Sequence, residues 1–137
     1  MSTKWFLIIL LILGGVMMFG VVRKPKLTPA ETLSTQSKTM GAVEVEVTPK
    51  TLTKGKEAIF KVVLDTHSVN LNYDYKKIIT LTDNLGKNYK ALKWSGENSG
   101  HHLSGDLTFE PFNNQAKSLM LTLDGIDNQK AQFEFAL

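Results

Sequence analysis

Val43-Glu44-Val45-Glu46-Val47-Thr48 alternates apolar and polar side chains one for one, and the same period of two recurs to the end of the chain. In an extended strand successive side chains point to opposite faces, so such a stretch buries one face and leaves the other in water. A helix would scatter the same residues around its axis. From Ala42 onward no window holds a 3.6-residue period, and the chain reads as all-β.

The apolar faces follow one another in short runs. Val43, Val45 and Val47 form the first, with Glu44 and Glu46 facing outward as protection of an edge. After a Lys54-Gly55 turn come Ala58, Phe60, Val62 and Leu64. A third strand covers residues 78–82, the Asp83-Asn84-Leu85-Gly86 sequence turns the chain, and a fourth covers residues 89–94. Leu103, Gly105, Leu107 and Phe109 define the fifth, closed by Pro111. Leu119, Leu121 and Leu123 mark the sixth, and Phe133, Phe135 and Leu137 the seventh. Seven strands at a spacing of roughly ten residues predict a seven-stranded antiparallel immunoglobulin-like sandwich over residues 43–137, with a small barrel as the second architecture. Trp94 is expected to pack in its core.

Ahead of this domain, residues 5–22 are eighteen uncharged, mostly apolar positions. As a helix they would span about 27 Å, close to the hydrocarbon thickness of a bilayer. Residues 16–22 lack the small-residue pattern of a signal cleavage site, so residues 1–26 are read as an uncleaved transmembrane anchor with a basic flank. Residues 27–42 read as a polar tether, in which Thr28-Pro29-Ala30-Glu31 matches a capping box and offers a short helix over residues 29–38. Lys4 before the anchor and Arg23, Lys24 and Lys26 after it favour a cytoplasmic domain on charge alone. A lone N-terminal anchor carrying a β-sandwich is more often an export device, and the domain is expected to be extracytoplasmic.

Four of the 16 basic residues lie in residues 1–26, where there is no acid, leaving 12 basic residues against 13 acidic ones in the rest. The net charge of +3 therefore belongs to the anchor, and the domain carries no electrostatic footprint for nucleic acid. The absence of cysteine excludes disulfides, thiolate catalysis and Cys-ligated zinc.

The three histidines are the one chemical feature that stands out. Antiparallel strands alternate direction, so the loops after the second, fourth and sixth strands share one end of the domain. Those loops, residues 66–74, 95–102 and 124–130, contain His67, then His101 and His102, then a polar turn. If Leu64 and Leu103 point inward, Asp65, His67 and His102 point outward on adjacent strands. Two imidazoles at cross-strand distance are able to share a metal ion, with Asp65 and Asp106 as carboxylate candidates and His101 alongside. Imidazole and carboxylate without thiolate suit Cu²⁺ or Zn²⁺. The bland reading has the same residues capping turns and packing against Tyr73 or Tyr75.

Asp65, His67 and Ser68 do not form a triad, because neighbours along a strand face opposite ways, and no P-loop, dinucleotide fingerprint or zinc-protease helix is present. The chain is therefore expected not to be an enzyme. Two functions fit. One is a membrane-tethered binding or accessory domain that meets a protein partner through the three polar loops. The other is a structural subunit of a membrane complex or filament held by its N-terminal helix.

The pattern Leu64-Asp65-Thr66-His67-Ser68-Val69, with Trp94-x-Gly96 and Gly100-His101-His102-x-Ser104-Gly105-x-Leu107-x-Phe109, resembles that of an uncharacterised group of membrane-anchored microbial domains. The resemblance covers residues 43–137. It implies an immunoglobulin-like fold on a single anchor and carries over no functional residue.

Overall fold

The computed structural model describes residues 34–137, so the anchor and most of the tether lie outside the described residues. The fold is all-β and antiparallel. Nine strands run in order: β1 Gln36–Met40, β2 Val43–Thr51, β3 Glu57–Asp65, β4 Ile79–Asp83, β5 Asn88–Tyr89, β6 Ala91–Trp94, β7 His102–Pro111, β8 Ser118–Ile126 and β9 Gln129–Ala136. One short helix, α1 Tyr75–Ile78, precedes β4. The strands form a five-stranded sheet in the order β1-β2-β3-β7-β6 and a four-stranded sheet in the order β5-β4-β8-β9.

The alternating faces behave as the sequence requires. Val43, Val45 and Val47, then Ala58, Phe60, Val62 and Leu64, then Leu103, Leu107 and Phe109 are buried on the five-stranded sheet. Leu119, Leu121, Leu123, Phe133 and Phe135 are buried on the other. The two layers meet at Phe60, whose ring lies 6.1 Å from Phe109 and 5.2 Å from Phe135. Among the described residues every buried side-chain polar atom has a partner.

Three expectations are corrected. The strand expected over residues 89–94 is two strands in different sheets. Tyr89 pairs with Leu81 of β4, and Ala91 pairs with Phe109 of β7. The backbone changes layer at Lys90, whose carbonyl accepts the Glu110 amide while its own amide donates to the Glu110 carboxylate. Second, residues 36–40, expected in the tether or its short helix, form β1 and pair with β2 from Gln36–Val47 to Met40–Val43. Glu44 and Glu46 consequently stand inside the sheet and do not protect its edge. That task falls to β1: the Gln36 side-chain amide donates to the Glu134 carbonyl, and the Lys38 ammonium donates to the Gln132 carbonyl and lies over the Phe133 ring. These bonds occupy acceptors on the open edge of β9, which blunts it as a template for another chain. Third, the domain accordingly begins near residue 36 and not 43.

The turn after β4 is held by a buried carboxylate. Asp83 is 5% exposed and accepts hydrogen bonds from the Leu85 and Lys87 amides and from the Tyr89 hydroxyl at 2.6 Å. The same hydroxyl accepts the Asn113 amide, tying the turn to the segment after β7. Burial works against the ionised form of Asp83. The bonds from Tyr89, Lys87 and Leu85, with the Lys87 ammonium nearby, outweigh it and hold the carboxyl below its ordinary range. Burial first, and then the bond to Asp83, push the Tyr89 phenol up.

A carboxylate whose folded pKa lies below its unfolded one adds stability above the unfolded value of about 4, and that stability is lost as pH falls through the folded value. Replacing Tyr89 with Phe strands the Asn113 amide and one Asp83 oxygen. Tyr89→Phe should lower unfolding stability by about 1–3 kcal/mol, read as a lower urea midpoint. It should also move the acid-unfolding midpoint to higher pH, because Asp83 loses a donor to its charged form. Coincident curves for the variant and the natural protein in both titrations would show that the network carries no stability.

Candidate functional site at the histidine pole

The β3–β7 pairing sets the position of the histidines. It runs in register from Ala58–Phe109 to Asp65–His102, so β3 leaves the sheet where β7 enters it. Beyond that point Thr66 is buried and binds three ways. Its amide donates to the His101 carbonyl, its hydroxyl donates to the Ala42 carbonyl, and the same oxygen accepts the Ser68 and Val69 amides. This knot turns the chain sharply, and His67 folds back beside His102. Their rings meet edge to face, with centroids 5.7 Å apart. Both imidazoles are exposed, and His102 Nδ1 bonds the Asp65 carboxylate.

The other expected loops converge on the same end. Leu71 donates to the Gly100 carbonyl, and Asp127 donates to the Tyr73 hydroxyl. Asp127 and Asn128 sit at φ 46° and 56°, the left-handed pair that a two-residue hairpin turn needs. The Asp127 carboxylate then accepts the Ala42 amide at 2.8 Å, locking the β8–β9 turn against the β1–β2 turn. Loops 66–74, 95–102 and 124–130 thus form one hydrogen-bonded surface, joined by the β1–β2 turn.

The expected metal ligands do not all gather there. Asp65 is at the site but is engaged on His102 Nδ1. Asp106 lies four residues further along β7, opposite Lys61, and its carboxylate pairs with the Lys50 ammonium at 2.6 Å. At about 3.3 Å per residue that is roughly 13 Å from His102, too far for a shared ion. His101 contributes its carbonyl to Thr66, and its side chain is exposed. Among the described residues no three His, Asp or Glu side chains are grouped so as to hold a metal ion by themselves. Nor do the histidines pack on the tyrosines: Tyr73 and Tyr75 pair with each other at 6.2 Å.

An aromatic groove beside the histidines has no counterpart in the sequence reading. Tyr75 is buried in α1, donates to the Leu71 carbonyl and stacks on Trp94 at 4.8 Å. Burial, and then the neighbouring Tyr73, hold its phenol well above the usual range, so it remains a donor. Trp94 is half-buried, with its indole N–H on the Glu97 carbonyl. Together with Asn72, Lys93 and Asn98 these side chains line an open groove of about 570 Å³. Trp94, expected in the core, is instead half-buried at the rim of the sandwich, packed against the core from outside. The signal was the Tyr73-x-Tyr75 pair, whose partner across the fold is not readable from its own neighbours.

Gly105 makes the tryptophan's seat possible. A Cβ there would lie 2.6 Å from the Gly96 amide nitrogen and 2.7 Å from the Trp94 ring, closer than real contacts allow.

No protein-family model and no curated protein matches the chain. In structure it is similar to a DUF4426 family protein from Pseudomonas aeruginosa PAO1, 12% identical, over 75% of this chain and 94% of that one, with a TM-score of 0.48. At that level the likeness assigns no function.

Gly105→Ala should displace the 94–96 segment and cost about 1–3 kcal/mol through overpacking, with a changed near-ultraviolet tryptophan signal. Natural stability and an unchanged spectrum would mean that the loop yields freely.

Proposed function

We propose that the chain is a membrane-tethered, non-catalytic binding domain that turns its histidine pole to its partner and takes a Cu²⁺ or Zn²⁺ ion between His67 and His102. The observation that carries this reading is the 5.7 Å separation of the two rings. With metal–nitrogen bonds of about 2.0–2.1 Å, each ring centre lies roughly 3.1 Å from the ion, and two such rings stand about 5–6 Å apart between tetrahedral and linear angles. The Asp65 carboxylate on Nδ1 leaves Nε2 of His102 facing outward, the outer-shell arrangement that orients a ligating imidazole. Two protein ligands leave positions open for water or for a partner's side chain, which suits a site that works at an interface.

The direction of the chain supports the same placement. β1 runs toward the β1–β2 turn at the histidine pole, while the Thr35 hydroxyl bonds that of Thr48 midway down the sheet. β1 therefore approaches the histidine pole from the opposite side, which supports an anchor at residues 5–22 that leaves the histidines facing away from the lipid. The order of the core strands, β2-β3-β7-β6 against β5-β4-β8-β9, supports the reading of an immunoglobulin-like sandwich with one further edge strand. On such folds the polar loops at one end are the usual recognition surface.

Titration of the membrane-reconstituted chain with Cu²⁺ and Zn²⁺ should show one ion bound per chain with a dissociation constant below about 100 μM. His67→Ala and His102→Ala should each abolish it, His101→Ala should leave it unchanged, and Asp65→Asn should weaken it by roughly 10–100-fold. Saturation that survives both histidine substitutions, or none at all below that concentration, overturns the metal site.

A further inference from the structure

The end of the sandwich opposite the histidines is built from the β2–β3 turn, the β4–β5 turn and the segment between β7 and β8. Hydrogen bonds fuse them: the Gly55 amide to the Phe112 carbonyl, the Lys117 amide to the Asn84 side chain, and the Asn84 amide to the Ser118 carbonyl. Lys54, Lys56, Lys87, Lys90 and Lys117 all project from this platform, and all are exposed. Among the described residues none of the five ammonium groups is in an ion pair. Its acids are Glu57 and Glu110, since Asp83 is buried beneath and committed to the Tyr89 hydroxyl. At the tip of the β4–β5 turn Leu85 stands 57% exposed, a large apolar side chain ringed by lysines. At the histidine pole, by contrast, carboxylates have basic partners: Asp74 pairs with Lys77, Asp124 with Lys130 and Asp65 with His102.

We infer that this lysine pole docks on an anionic phospholipid surface, with Leu85 entering the headgroup layer. Three features of the molecule point there. Five exposed lysines outnumber the two carboxylates, and no ammonium group among them is in an ion pair. A lone apolar tip among cations is what an interfacial contact uses. Finally, β1 runs away from the lysine end, and eleven residues separate residue 22 from residue 34. They reach at most roughly 36–40 Å, so a domain about 30 Å long stays close to its own membrane. Surface attraction decays over about 8 Å at physiological salt, and each lysine held within that layer strengthens association roughly fivefold. This last feature rests on the anchor reading, whereas the first two do not.

The chain has no cysteine, so single labelling sites are specific. Leu85→Cys and Asn98→Cys, each carrying an environment-sensitive fluorophore, are reconstituted in vesicles of phosphatidylcholine alone or with phosphatidylglycerol. The label at position 85 should be quenched by headgroup-attached quencher in the anionic vesicles and not in the zwitterionic ones. The label at 98 should be quenched in neither. Raising salt to 0.5 M, or combining Lys54→Gln, Lys56→Gln, Lys90→Gln and Lys117→Gln, should lower the quenching at 85 by at least about tenfold. Equal quenching at both positions, or quenching at 85 indifferent to lipid charge, overturns the proposal. Should the chain fail to stay in the bilayer, the anchor reading falls by itself. Salt-sensitive sedimentation of the free protein with anionic vesicles then sustains the lysine pole, and its absence rejects it.

Discussion

Phe60 is the residue on which the rest of the structure depends. It stands midway along β3, the central strand of the five-stranded sheet, and its ring touches Phe109 of the neighbouring strand and Phe135 of the facing sheet. Apolar burial is the main term that holds a cysteine-free domain of this size together, and here it is continuous across both layers. Because one face is buried, a slip of one residue between β3 and β7 would turn every inner side chain to water. The register is therefore fixed, and the register places Asp65 opposite His102. The geometry of the histidine pole is a consequence of how the core packs some distance away.

The two ends of the sandwich are finished differently. At the histidine end, side chains and turns interlock through Thr66 and Asp127, which are fully committed and leave the imidazoles outside. At the lysine end, Asp83 and Tyr89 do the fastening from beneath and leave cations on the surface. In each case a buried polar knot satisfies the backbone, and the groups left over define what the end is able to meet. The cluster of five exposed lysines at one end follows from this division, even though basic and acidic residues nearly balance within the domain.

Much of the fold was legible. The inner faces named from the alternation are buried from Val43 to Phe135, and Leu137 is partly so. The convergence of three loops on one pole followed from strand parity, and the outward direction of Asp65 and His102 followed from side-chain parity, whereas His67 lies past the end of β3 and owes its place beside His102 to the turn at Thr66. The strand at 89–94 was misread because Tyr89 and Ala91 keep the period of two across Lys90, and nothing local marks the change of layer there. β1 was missed because Gln36-Ser37-Lys38-Thr39 carries no apolar alternation. It is a strand because its backbone pairs with β2, not because it buries a face. Asp106 was grouped with the histidines on parity alone, which fixes the face a side chain shares but not its distance along the strand. Lys50, distant in sequence, is what claims it.

The sequence by itself determined the period of the strands, the faces they bury, the turns that Gly, Pro and Asp impose and the outward direction of His102 at the start of its strand. These are local properties, set by backbone geometry and by the contrast between apolar and polar side chains. The tertiary structure alone decided which strands lie side by side, that the chain changes sheets at Lys90, that His102 is held by Asp65 and that Trp94 rests against Tyr75 and Gly105. Those outcomes depend on contacts between residues far apart in the chain, and a pairing of that kind leaves no trace in the neighbours of either partner.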